Sequence, residues 1–343
     1  MKETEEDLLD AARRGDEGAF SQLTAAHRQA LHAHCYRMLG SVQDAEDALQ
    51  EALFNAWRAL PRFEGRSSLK SWLYRIATNA CLKMIQRRPR RVLPVDYGPA
   101  ADPHDPLAQP LVESVWVEPY PYADTSIELE DRRSGPDRRY EQRESVELAF
   151  VAAVQHIPAR QRAVLILRDV IAFSAKEVAA TLEMTPAAVD TALQRAHKTV
   201  DDRLPAQSQQ ATLRALGDER LREVVDRFVE AWERADVGSV VAMLAHDATI
   251  AMPPRPTWYH GRDAIAIFLR DVVLAAGTRW RLVPTSANGQ LALAEYRWNR
   301  KSNRFVAEAV SVLTMADALI ADITAFRLPD LFATFGLPEE LDP

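Results

Sequence analysis

A proline-rich stretch near the middle of the chain constrains the fold more than any other feature. Seven prolines lie between residues 94 and 121, and no apolar periodicity is sustained from residue 89 to residue 143. Residues 92–144 also carry a net charge of −7, so they cannot bury enough apolar surface to fold alone. Because proline cannot continue a helix, this stretch predicts an acidic linker between separately folded units.

The segments on either side of the linker differ in periodicity. Residues 8–86 repeat apolar positions at intervals of three and four, which predicts a bundle of about four helices. Helical periodicity returns after residue 145, where Pro158 and Pro186 each open a helix. Strand-like alternation appears at 291–298 and 305–314. The predicted fold is multidomain: two all-α domains over 1–91 and 145–204, the acidic Pro-rich linker over 92–144, and an α+β domain over 205–343.

Charge is distributed unevenly along the chain. The net charge is −7, yet residues 58–91 carry +9 and residues 1–57 carry −6. A compact basic segment predicts contact with phosphate, and the acidic segments beside it either screen it or bind basic partners.

Targeting and cysteine features narrow the class of protein. No apolar run approaches the roughly 20 residues that span a bilayer, and the acidic N-terminus lacks the order of a signal peptide. We therefore expect a cytoplasmic protein without membrane contact. Cys35 and Cys81 lie in amphipathic helical patterns, which predicts reduced core thiols and no disulfide framework.

One helical pattern carries a row of carboxylates. Small and apolar residues make one face, whereas Asp44, Asp47 and Glu51 form a stripe on another. No lysine or arginine lies between Gln43 and Trp57 to neutralise the stripe within the helix. The stripe is therefore either a solvated face or a face completed by a cationic surface from elsewhere.

The basic segment combines cations with a short loop. Four cations align as donors to backbone phosphates: Arg66, Lys70, Arg75 and Lys83. The loop over residues 63–68 supplies the Phe63 ring, the flexible Gly65 and two hydroxyls, which suits the holding of a base outside the stack. A basic helix with ordinary core and surface aromatics is the alternative.

These residues resemble a known family. The string Asp44–Glu51, the Phe63-x-Gly65-x-Ser67 loop and the Trp72-Leu73-x-x-Ile76-Ala77-x-Asn79 pattern resemble region 2 of extracytoplasmic-function (ECF) sigma factors, a group of the bacterial sigma-70 family. The resemblance implies that the acidic stripe binds the β′ clamp of core RNA polymerase, through Asp44, Asp47, Gln50 and Glu51. It also implies that the next stretch melts promoter DNA at the −10 element, through Phe63, Glu64, Gly65, Arg66, Ser67, Ser68, Lys70, Trp72, Arg75, Asn79 and Lys83.

A helix-turn-helix pattern follows the linker. Ser174 and Glu177 form a capping box, and Thr185 caps a second helix that begins at Pro186. This stretch resembles region 4 of the same family, which implies −35 DNA binding through Ala187, Ala188, Asp190, Thr191, Gln194, Arg195 and Lys198. It departs from the family at Glu183, where glycine is usual, and at Asp190 and Ala192, where cations are common. Fewer cations predict weaker phosphate anchoring.

The linker contains two aromatic residues, Trp116 and Tyr120. Each ring buries on the order of 150–250 Å², so we expect both to pack against a folded part of the same chain. Aromatic residues lying incidentally in a disordered segment are the alternative.

The C-terminal segment, with Phe228, Trp232, Trp258 and Phe268, resembles SnoaL-like polyketide cyclases, a cone of curved sheet around a pocket. That resemblance implies a general acid or base drawn from His246, Asp247, His260, Asp263, Glu295 and Glu308, if catalysis is kept. Regulation of the sigma domains in cis is the favoured role.

The combined prediction is a stress-response sigma factor that is not an enzyme and uses no cofactor. It binds core RNA polymerase and promoter DNA, and its own cone acts on the sigma domains. No metal site is expected at His27, His32, His34 and Cys35, because His32 and His34 point about 200° apart on a helix. A SnoaL-like enzyme and a ligand-sensing one-component regulator remain as alternatives.

Overall fold

The computed structural model describes residues 4–111, 115–121, 146–328 and 330–343. Of these, 4–91 and 146–204 form one compact unit, and the remainder form a second. The expected linker thus belongs to the unit of the C-terminal domain as far as residue 121, and residues 122–144 lie outside the described part of the chain.

The first unit begins with four capped helices, in agreement with the predicted bundle. Side chains of Thr4, Asp16, Ser41 and Ser68 accept hydrogen bonds from the first turns. Gly40, with φ of +71°, ends the second helix in the left-handed conformation. The helices are α1 (Glu5–Arg13), α2 (Glu17–Leu39), α3 (Val42–Ala59) and α4 (Leu69–Ile85), with a 3₁₀ turn at Leu60–Arg62.

The same unit contains the helices that follow the linker. They are α5 (Leu148–Gln155), α6 (Ala159–Leu165) with a π turn at Ile166–Val170, α7 (Ala175–Leu182) and α8 (Pro186–Asp201). Buried Arg162 donates to the carbonyl oxygens of Met38, Gln155 and Ile157, and Gln155 Nε2 donates to Arg37 O at 3.1 Å. The bonds to Arg37 and Met38 satisfy carbonyls at the C-terminal end of α2 and so help to hold residues 146–204 against α2.

The predicted helix-turn-helix is formed by α7 and α8. Ser174 and Glu177 make the capping box, Thr185 Oγ1 accepts from Ala188 N at 3.2 Å, and Pro186 occupies the first turn. Glu183 ends α7 with φ of +53°, a conformation that favours glycine.

The second unit is an α+β domain built on one sheet with the order β2-β1-β6-β5-β4-β3 and β7 added to β5. β1 and β6 are parallel, and the remaining pairs are antiparallel. The strands are β1 (Leu244–Ala251), β2 (Trp258–His260), β3 (Trp280–Ala287), β4 (Gln290–Asn299), β5 (Arg304–Ala316), β6 (Leu319–Phe326) and β7 (Glu340–Leu341).

Helices complete this second core. They are α9 (Gln209–Leu216), α10 (Asp218–Glu233), α11 (Val237–Ala242), α12 (Arg262–Phe268) with a π turn at Leu269–Val273, and α13 (Asp330–Thr334). Phe228 and Trp232 of α10 lie buried with Phe268 of α12 and with Leu313 and Ile323 of the sheet. The two predicted strands correspond to β4 and β5.

Candidate partner and nucleic-acid interface

The acidic stripe on α3 is partly neutralised by its own chain. Asp44 is buried, accepts a hydrogen bond of 2.7 Å from Arg91 and forms a second ion pair with Arg88. Glu51 accepts from Lys83 Nζ at 2.8 Å. At Asp44 and Glu51 the cations therefore come from the same chain, because α4 and the residues after it bring cations that are distant in sequence.

Asp47 differs from its neighbours. It is exposed, and within the described residues it has no ion-pair partner. Gln50 is exposed beside it and donates to Glu46 Oε1 at 3.1 Å. Phe54 lies about two helical turns beyond Asp47 on α3. It is 59% exposed, and the Arg58 guanidinium lies 5.6 Å from its ring centroid. Phe54 was not among the residues predicted from the sequence, although its position off the apolar face of α3 indicates an exposed side chain.

The two aromatic rings assigned to −10 DNA are buried. Phe63 and Trp72 pack together with ring centroids 4.9 Å apart. Arg13 of α1 donates to Phe63 O at 2.5 Å and lies 5.9 Å from the Phe63 ring. The expectation of a ring offered to a base by the loop is therefore wrong for Phe63, because α1 covers the loop from one side and the ring packs into the core beside Trp72.

The rest of the loop is exposed. Glu64 pairs with Arg66, and Gly65 has φ of +70° with open space where a Cβ would point. Ser67 is exposed, whereas Ser68 begins α4 by accepting from Ser71 N at 3.1 Å. The loop therefore exposes polar side chains and backbone groups to a partner, and the N-terminal cap of α4 fixes its last residues.

The basic face of α4 is continuous with this loop. Arg75, Asn79 and Lys83 are exposed at intervals of four residues and so share one face of the helix. Lys70 lies half-buried in the first turn. This face supplies charge for phosphate and an amide for a base edge.

The second helix of the helix-turn-helix presents most of its assigned side chains. Ala187, Asp190, Thr191, Gln194, Arg195 and Lys198 are exposed, and Ala188 is half-buried. Ala192 is buried, and its small side chain brings no cation to this face. The exposed face carries two cations and one carboxylate.

The cone candidates for acid–base chemistry do not converge. His246, Asp247, His260 and Asp263 are exposed, whereas Glu295 and Glu308 line a cavity of about 30 Å³. Burial raises the pKa of Glu295 to about 7, although Ser311 Oγ donates to it at 2.5 Å. Glu308 pairs with Arg297 and Arg327. Trp232 Nε1 also lies buried at this cavity, without a hydrogen-bond partner among the described residues.

The described part of the linker lies against the cone. Trp116 is 4% exposed and its Nε1 donates to Pro254 O at 3.0 Å. Tyr120 is also buried, and its backbone exchanges two hydrogen bonds with Asn288, at 2.9 and 2.8 Å. Further bonds of this kind join Leu111 N to Pro254 O, Ala101 N to Trp258 O, Ala108 N to Thr257 Oγ1 and Trp258 Nε1 to Gly98 O.

Histidine and membrane features add little to the site. His34 is buried with its Nε2 2.9 Å from Thr78 Oγ1, and burial lowers its pKa to about 3. Among the described residues, no cluster of three or more His, Cys, Asp or Glu side chains is arranged to hold a metal ion. None of the described helices is long and apolar enough to cross a membrane.

Comparisons with known proteins identify the domains of the chain. Residues 23–91 match the family model for Sigma-70 region 2, residues 147–200 that for Sigma-70 region 4, and residues 225–323 that for the SnoaL-like domain. The ECF RNA polymerase sigma factor SigG of Mycobacterium tuberculosis is 40% identical over 331 residues, covering 96% of this chain and 86% of SigG.

Two further proteins are similar to parts or all of the chain. The ECF RNA polymerase sigma-E factor of Escherichia coli is 25% identical over 201 residues, covering 59% of this chain and 94% of that protein. The crystal structure of the M. tuberculosis ECF sigma factor SigJ shares the fold, with a TM-score of 0.56, 20% identity, and coverage of 93% of this chain and 99% of SigJ. The chain therefore belongs to the ECF sigma factors of RNA polymerase, with a SnoaL-like domain fused after region 4.

Proposed function

We propose that this sigma factor binds the β′ clamp of core RNA polymerase through Asp47 and its exposed neighbours on α3. The observation that supports the proposal is the difference between Asp47, which is exposed without a described ion pair, and Asp44, which is buried against Arg91. An exposed carboxylate one helical repeat from the exposed Phe54 gives a basic partner both a charge and an apolar contact. Gln50 adds a donor, and Glu51 would exchange Lys83 for a cation of the clamp.

Charge reversal at Asp47 tests this surface. Asp47→Lys should weaken core binding of the labelled full chain by about tenfold or more, because like charges repel across an interface. Asp226→Lys makes the same charge change at an exposed position of α10 and should leave the affinity unchanged. Equal affinities for the Asp47 variant and the unmodified chain would contradict the proposal.

We propose that −10 DNA is melted by the exposed loop around Gly65 and by the face of α4 that carries Arg75 and Asn79. The buried Phe63 and Trp72 rings pack together behind this loop and do not contact a DNA base. Asn79→Ala should reduce permanganate reactivity of −10 thymines in the holoenzyme complex, because a base-edge contact is lost. Gln86→Ala, an exposed amide at the end of α4, is the matched control.

For the −35 element we propose shallow binding by the exposed face of α8. Asp190 opposes phosphate, so Asp190→Asn should tighten promoter binding severalfold and steepen its salt dependence. Asp202→Asn, at the C-terminal cap of α8, should change neither. Weaker binding by Asp190→Asn would instead show that the carboxylate contacts a base.

We propose that the cone modulates the sigma regions in cis by holding the linker. The resemblance implies that this linker threads the RNA path of the polymerase, whereas here Trp116 and Tyr120 are bound to Pro254 and Asn288. The two placements exclude each other, so the cone competes with the polymerase for the linker. Trp116→Ala should therefore raise run-off transcript yield from purified core polymerase, and Val95→Ala, an exposed linker position, should not.

We also propose that the cone acts without catalysis. Its cavity of about 30 Å³ has room for one or two water molecules, and the histidines considered for catalysis lie outside it. Glu295→Gln should leave transcript yield unchanged. Loss of regulation in that variant would favour the ligand-sensing or enzymatic alternative, since the buried Glu295 and the Trp232 N–H are the polar groups that a small ligand would meet.

A further inference from the structure

A cleft in the first unit is not used by the functions described above. Its volume is about 370 Å³, and its walls come from the C-terminal end of α4 with the residues after it, and from the connection between α5 and α6. Arginines dominate its polar lining: Arg88, Arg90, Arg91 and Arg162.

The cleft has an excess of positive charge. Asp44 is the one carboxylate among the described residues that line it, and that carboxylate already binds both Arg88 and Arg91. Buried Arg162 donates to carbonyl oxygens and to Gln155 Oε1, none of which neutralises its charge. Burial, together with the charge of Arg90, lowers the pKa of Arg162 to about 10.

Arg90 is the cation of the cleft that remains available. It is exposed, and it forms no ion pair within the described part of the chain. Guanidinium groups bind phosphate oxygens in pairs of parallel hydrogen bonds, so the Arg90 guanidinium, beside the three other arginines of the cleft, is suited to phosphate.

The remaining walls are apolar. They are formed by Leu39, Met84, Ile85, Pro89, Ile157 and Pro158. A concave site of this volume, with apolar walls and a few convergent polar groups, has the size and character of a small-molecule site. A DNA duplex, by contrast, requires an open surface along its backbone.

We propose that this cleft binds a phosphate-bearing small molecule of nucleotide size, with Arg90 as the principal phosphate ligand and the apolar wall against the non-phosphate part. Because the walls come from both sides of the linker, the bound molecule would stabilise the packing of residues 146–204 on α2 and α4.

Calorimetric titration of the full chain with ATP, inorganic pyrophosphate and adenosine tests the site. ATP and pyrophosphate should bind and raise the unfolding midpoint, whereas adenosine should bind at least tenfold more weakly. Arg90→Ala should weaken ATP binding at least fivefold without lowering the unfolding midpoint of the free protein, and Arg90→Lys should be intermediate. Arg87→Ala removes a charge from the same basic run outside the cleft and should bind ATP normally.

Any of four results would overturn the proposal. The first is the absence of ATP binding at about 1 mM ATP, a concentration above the Kd of most specific sites. The second is equal binding of adenosine and ATP, and the third is an equal effect of Arg90→Ala and Arg87→Ala. An Arg90→Ala defect seen with promoter DNA and not with ATP would assign the arginine to DNA and also overturn it.

Discussion

Arg91 donates a hydrogen bond of 2.7 Å to the Asp44 carboxylate, and each of the two side chains is only 6% exposed. The pair joins the start of α3 to the segment after α4 and holds two charges away from water. Asp44 therefore belongs to the buried framework of region 2, whereas Asp47 is an exposed carboxylate of the stripe.

The buried pair predicts a large effect on stability. Asp44→Ala removes the carboxylate that Arg88 and the buried Arg91 share, so the free energy of unfolding should fall by about 3–5 kcal/mol. Asp47→Ala, one helical turn away and exposed, should change it by less than about 0.5 kcal/mol. Urea denaturation followed by circular dichroism measures both. Similar losses in the two variants would show that the Asp44 pair contributes no more than a surface charge.

The turn between α7 and α8 predicts a stabilising substitution. Glu183 has φ of +53°, which costs a non-glycine residue about 1–2 kcal/mol. Glu183→Gly should raise the free energy of unfolding by about 0.5–1 kcal/mol after the entropy cost of glycine in the unfolded chain. Glu183→Ala removes the charge and keeps the strain, so it should not stabilise. If both variants stabilise equally, charge and not backbone conformation is the cause.

The buried carboxyl in the cone predicts a pH dependence. Burial raises the pKa of Glu295 to about 7 from 4.5, so the folded state keeps a proton that the unfolded state has lost. The contribution of this proton to the free energy of unfolding is fully present below about pH 4.5. It decreases by on the order of 3 kcal/mol as the pH rises to about 7.

Hydrogen exchange of β4 and β5 amides between pH 5 and 8 measures this dependence, after correction for the intrinsic exchange rate. Glu295→Gln should flatten the opening free energy across that range. Glu219→Gln, at an exposed position of α10, should leave the slope as it is. A slope that persists in Glu295→Gln would assign the titration to another group.

The Tyr120–Asn288 contact predicts a local effect on the linker. Asn288→Gly tolerates the φ of +56° but removes the Oδ1 that accepts from Tyr120 N. Losing one neutral hydrogen bond costs about 1 kcal/mol, so the Tyr120 amide should exchange about fivefold faster. Asn303→Gly, at φ of +53° in another turn, is the matched control. Unchanged exchange at Tyr120 would show that the side chain of Asn288 does not hold the linker.

Local sequence signals predicted most of the secondary structure. The caps at Ser174 and Thr185, the proline at position 186 and the alternation in 291–298 each act within a few residues, and each has its predicted place. The conformation at Glu183 likewise follows from the turn that the family pattern requires.

Contacts between distant residues were not predictable in this way. The cations that neutralise Asp44 lie 44 and 47 residues further along the chain, and Arg13 reaches Phe63 across 50 residues. Helical periodicity shows which side chains share a face, but it does not show what covers that face. For this reason the exposure of Phe54, the burial of Phe63 and the arginine cleft emerged only from the structure.

The Asn288-Gly289 turn closes the β3–β4 hairpin with two left-handed residues, and the first of them also holds Tyr120. The conformation of the hairpin and the attachment of the linker therefore both depend on one residue, Asn288, through its backbone and its side-chain amide. A reporter screen for constitutive variants should consequently recover substitutions at this turn among its strongest isolates.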